Sequence, residues 1–124
     1  MRADLAQVTG AAPLEQTPID ADSISETIRQ ALHFGSVRPS RDERAAVDEI
    51  LRGHVRLLLG DVRAATERQR HSFEAEQLLK RMERIEQHMV HPFGQGLLTA
   101  DAEAHQRARD CQWLLAHHTA RVGW

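Results

Sequence analysis

The chain has 124 residues, enough for one domain with a sizeable apolar core that needs neither disulfides nor a structural metal. Sixteen basic residues against eighteen acidic ones leave a formal charge of -2, so no global field steers the protein toward nucleic acid or an anionic membrane. A single cysteine, the absence of an apolar leader in "MRADLAQVTGAAP" and the lack of any run near the roughly 18 apolar residues of a membrane span predict a cytoplasmic protein.

Residues 1–18 carry Gly10, Pro13 and Pro18 with little periodicity and are expected to form a flexible arm, leaving 19–124 as a helical domain. Ser23 with Glu26 three positions on has the form of a capping box. Ile24, Ile28, Ala31 and Leu32 then recur at helical spacing up to Gly35, which predicts a first helix over 23–34. After the loop "GSVRPS", Ser40 with Glu43 repeats the capping signature and opens a second helix. A helical wheel places Val47, Ile50, Leu51, Leu58, Val62 and Ala65 on one face, with Arg52, Arg56 and Arg63 opposite. The apolar stripe of Ala75, Leu78, Leu79, Met82, Ile85 and Met89 does not continue that phase, which predicts a break over 67–72 with Ser72 as the next N-cap. Pro92 ends this third helix, "PFGQGLL" reads as a loop, and Thr99 with Asp101 starts a fourth. Ala104, Ala108, Cys111, Leu115, His118 and Val122 share a face of that last helix. With no sustained alternation and no tyrosine, the pattern predicts an all-α protein, a small antiparallel four-helix bundle.

Two polar residues stand out because the wheel turns them toward the core: His54 and Asp61, inside the most apolar run of the chain. A buried polar group without a partner costs about 1 to 3 kcal/mol, so each is expected either to be paired or to line a pocket. They lie about 10 Å apart along one helix, so neighbouring helices must supply the partners. Among the eight histidines, His88 with His91 and His117 with His118 are the only clusters. Neither has a recognised ligand spacing, so no metal and no cofactor is expected, and His88 is read as solvated. Cys111 and His118 share a face but sit two turns apart, which suits a small core thiol better than a nucleophile with its base. Arg63, Arg68, Arg70, Lys80, Arg81 and Arg84 form the most basic region, but interspersed glutamates make it a mixed surface. Trp113 lies opposite the Ala104 stripe and, with Trp124, is a candidate association surface, where tryptophan often anchors a partner.

The segments "LRGHVRLLLGDV" and "ARDCQWLLAHH" resemble the two most recognisable helices of a family of small actinobacterial proteins of unknown function, DUF6415-like, labelled natural product biosynthesis protein. The resemblance spans roughly residues 20–119. Arg52, Gly53, His54, Asp61, Ala108, Arg109, Leu114 and His117 match the family pattern in residue type, and Arg52, Arg109 and His117 are its matching polar positions. The chain departs from that pattern at Gly60, where proline is usual, at Ala116, where an acid is usual, and at His118, where an aromatic is usual. An arginine-rich and alanine-rich composition of the kind GC-rich codons produce points the same way.

The expectation drawn from these readings is a small helical accessory protein of specialised metabolism that works by binding a protein or small-molecule partner, with a second copy of the chain among the candidates. A cofactor-independent tailoring enzyme using a polar-lined pocket around His54 is the alternative, and a nucleic-acid-binding regulator comes third. A sealed core around His54 favours the first, a cleft exposing it the second, and a basic stripe on a free helix the third.

Overall fold

The computed structural model describes residues 19–69, 71–90 and 99–122; the expected N-terminal arm, the "PFGQGLL" loop and Trp124 lie outside them. The described residues form four helices: α1 (Ala21–Leu32), α2 (Arg41–Glu67), α3 (Phe73–His88) and α4 (Ala100–Val122). The described residues hold no strand, only an isolated bridge between Phe34 and Val37. The all-α bundle read from the sequence is therefore the observed fold.

Local chemistry sets the helix ends. Ser40 accepts from the Glu43 backbone N–H at 3.1 Å while Glu43 accepts from the Ser40 N–H at 2.8 Å, a complete capping box. Ser72 accepts from the Ala75 N–H, and Thr99 from that of Ala102. The first helix departs from the expectation. Its N-cap is Asp20, whose carboxylate takes the Ser23 N–H at 3.1 Å, so the helix runs over 21–32 rather than 23–34. A carboxylate at that position also meets the positive end of the helix dipole, which a serine three residues later does not. Beyond α1, Gly35 at φ 105° makes the turn that the glycine signalled.

Packing centres on α2, which lies against α1, α3 and α4, while α4 also packs on α1. Ile24, Ile28 and Ala31 of α1, Leu51, Val55, Leu58 and Val62 of α2, Met82 and Ile85 of α3, and Ala104, Ala108, Cys111 and Leu114 of α4 form one core. Position rises together along α2 and α4: Arg44 meets Asp101, Asp48 meets Arg107, and Asp61 meets His118.

The buried face of α2 is rotated from the one the wheel suggested, by about 60° at 100° per residue. Ile50 is 49% exposed, whereas Asp48 is 1% exposed and Arg52 lies mostly inside. Hydrophobicity alone would not turn a helix this way. A buried ionic network does: Asp48 accepts from Arg52 at 2.7 Å and from Arg107 at 3.1 Å, and the two guanidiniums donate onward to the carbonyls of Met89 and His88, each at 3.0 Å. Those carbonyls belong to the C-terminal end of α3, where cations are favoured and backbone acceptors lack intrahelical donors. Asp48 thus joins α2 and α4 to the end of α3. Beside it, Asp110, 2% exposed, accepts from Gln106 and from His88 Nδ1 at 2.8 Å, so His88 is not a free solvated side chain as its position on the helix suggested.

Candidate functional site

His54 is half-buried, and its Nε2 lies 3.4 Å from Thr27 Oγ1 of α1. The Thr27 hydroxyl spends its one proton on the Ser23 carbonyl at 3.1 Å, so toward His54 it can only accept. Burial lowers the His54 pKa against the opposing pull of Asp20, which favours the neutral ring. The partner comes from another helix, as the spacing required.

Asp61 finds its partners on α4. His118 Nδ1 donates to its carboxylate at 2.7 Å, and Arg121 adds an ion pair. Burial alone would raise the Asp61 pKa, but the bonds from His118 and Arg121 outweigh it and hold the carboxyl below its ordinary value. Cys111 and His118 are not brought together as a dyad. The thiol is fully buried and its pKa is pushed up to about 12 by burial and by the nearby Asp110, which leaves it protonated and unreactive. The described residues contain no group of three or more His, Cys, Asp or Glu placed to hold a metal ion.

Two concavities flank the Asp61–His118–Arg121 cluster. The first, of about 580 Å³, lies where the end of α2, the start of α3 and the end of α4 meet. Ala65, Ala75 and Ala120 line it, and side chains this small cannot fill the space between three helix ends. Val62, Leu78 and Phe73 add apolar wall, and Thr66, Gln69, Glu74, Gln77, His117 and Arg121 supply polar atoms. Phe73, placed in the first turn of α3 by the Ser72 cap, is 73% exposed. A histidine edge meets Trp113 with ring centroids 4.4 Å apart, and Arg81 lies 4.9 Å over the Trp113 ring. This histidine is His117, whose pKa is lowered by burial and then by Arg81, so near neutral pH it faces the pocket as an uncharged donor and acceptor. The second concavity, of about 950 Å³, runs along the outer side of α2 past Gly53, Leu57, Gly60 and Ala64, with Ile19, His118 and Arg121 along one wall.

Of the residues singled out from sequence, Asp61, His118 and Arg121's neighbour His117 gather at this end of the bundle, while Arg52 joins the Asp48 network and Arg109 is exposed. Trp113 is half-buried and packed on the core rather than presented freely. Sequence reasoning missed Phe73, Ala75 and Ala120 as pocket residues, because an apolar first-turn residue and two alanines carry no signal of their own. It also missed Asp48 and Asp110, although the Asp48–Arg52 and Gln106–Asp110 spacings of four marked both pairs.

The class these features define is a small all-α bundle with an apolar pocket at one end and an ionic cluster beside it. The chain matches the family of unknown function DUF6415 over residues 22–123 and belongs to it. No curated protein and no solved structure matches the chain significantly. No described helix is long and apolar enough to cross a membrane.

Proposed function

We propose that this is a small helical accessory protein of specialised-metabolite biosynthesis that works by holding an apolar small molecule in the pocket at the end of the bundle. One observation carries the reading. An open hollow of about 580 Å³ lies within the usual size of ligand sites, has alanines and a largely exposed phenylalanine along its apolar side, and has a polar side of Thr66, Gln69, Glu74 and Gln77 with uncharged His117 and the Arg121 guanidinium. A bound apolar body would cover Phe73, and a polar substituent would find His117 or Arg121. The metabolic setting, an actinobacterial source and a cytoplasmic location rest on the resemblance and composition described above. The tailoring-enzyme reading required His54 in a pocket, and His54 lines neither concavity described here.

Native mass spectrometry of the protein incubated with a fractionated metabolite extract tests the proposal. Wild type should retain a small molecule that Ala120→Trp, which puts a bulky ring at the wall of the hollow, releases while keeping its helical circular dichroism. Equal retention by both proteins, or no retained small molecule at all, would overturn it.

A further inference from the structure

The face of α2 turned away from the core has a pattern of its own. Ala46, Ile50, Gly53, Leu57, Gly60 and Ala64 recur at alternating spacings of four and three, the seam of a helix that packs against another helix. The seam is about 27 Å long by helix rise and lies roughly opposite the buried face. No described helix covers it. Ile50 is 49% exposed, Leu57 is half-buried, and a Cβ added at Gly53 or Gly60 would meet nothing within 4 Å.

We infer that this face is the interface of a two-fold homodimer in which α2 packs antiparallel on its own copy. The argument is self-complementarity, which an isologous contact requires. With the dyad beside Val55, Ile50 falls opposite the partner's Gly60, Leu57 opposite the partner's Gly53, and Ala64 opposite the partner's Ala46. Each large side chain then enters a hole that a glycine leaves. A parallel pairing would set Gly53 and Gly60 against their own copies and leave voids in those layers. The flanks agree in charge. Glu49, exposed and without an ion pair among the described residues, falls opposite the partner's Arg63, which also holds Glu86 of its own α3 at 2.7 Å, and symmetry makes that contact twice. Arg56 meets its own copy beside the dyad, the one like-charge contact of the arrangement. This interface follows the second concavity, which adjoins the end pocket at Ala65 and Arg121, but none of its seam residues lines that pocket, and it goes beyond the ligand-binding reading, which stands or falls on its own.

Sedimentation equilibrium of the full chain, with cross-linking, tests the inference. Wild type should be a reversible dimer. Gly60→Leu should raise the dissociation constant at least about tenfold because the partner's Ile50 loses its hole, with helix content unchanged in circular dichroism. Glu49→Arg should weaken the dimer and Arg56→Gln should tighten it. Mild oxidation of Ala46→Cys mixed with Ala64→Cys should give a covalent dimer that neither variant forms alone, and the buried Cys111 does not interfere. A wild type that stays monomeric at millimolar concentration, an unaltered Gly60→Leu dimer, or cross-linking of each cysteine variant with itself would each overturn it.

Discussion

Replacing Asp48 by alanine removes the carboxylate that holds two guanidiniums inside the bundle. The Asp48 side chain is 2% exposed, that of Arg107 6% and that of Arg52 12%, so after the change Arg107 stays out of water without its counter-charge while Arg52 can partly turn outward. Breaking one side of a buried ion pair costs about 3 to 5 kcal/mol, because the remaining charge loses its compensation. Since Arg52 has partial access to water, we expect about 3 to 4 kcal/mol, a large part of the 5 to 15 kcal/mol typical of a domain. Asp48→Asn keeps the shape and one acceptor and should cost about 1.5 to 3 kcal/mol, the range of a charged hydrogen bond. The double variant Asp48→Leu/Arg107→Met leaves less charge stranded, so it should be more stable than the sum of its single changes by about 2 kcal/mol. Urea denaturation followed by far-ultraviolet circular dichroism measures all of these. A loss under about 1 kcal/mol for Asp48→Ala, or additivity within about 0.5 kcal/mol in the cycle, would refute the reasoning.

Other outcomes follow from the same contacts. His54→Ala should cost about 1 kcal/mol, because the Thr27 hydroxyl keeps its bond to the Ser23 carbonyl and is not orphaned, and His54→Gln should cost less; a loss above about 3 kcal/mol by the same denaturation assay would show a tighter core site. Asp61 has a lowered folded pKa, so its contribution is present above the unfolded carboxylate value and is lost as pH falls through the folded one; Asp61→Asn should flatten the acid limb of a stability-versus-pH curve, and an unchanged limb would count against the pairing with His118 and Arg121. His54 and His117 also have lowered pKa values, so unfolding takes up protons at these sites once pH drops below the ordinary histidine range; stability should start to fall there, and His117→Gln should reduce that early loss in the same titration. Cys111 should react with an aromatic disulfide reagent only as fast as the protein unfolds, since its thiol is buried and its pKa is pushed up to about 12; rapid reaction of the folded protein would contradict its place in the core.

The all-α class, the break between α2 and α3 and the caps at Ser40, Ser72 and Thr99 were determined by the sequence alone. Each depends on residues within one turn of each other or on a period of 3.6, and such local preferences survive in any tertiary setting. The need of His54 and Asp61 for partners on other helices was also legible, because burial without pairing is costly wherever it occurs. Which partners they take was not. Thr27 meets His54, and His118 with Arg121 meets Asp61, only because α1, α2 and α4 pack at one particular offset, and nothing in a single helix encodes that offset. The same holds for the rotation of α2. A wheel weighs Ile50 as core and Arg52 as surface, and only the convergence of Asp48, Arg107 and the last carbonyls of α3 makes the opposite arrangement the lower in free energy. The pocket lay furthest from view, since it consists of what Ala65, Ala75 and Ala120 do not fill, and an unfilled volume exists only once three helix ends have met.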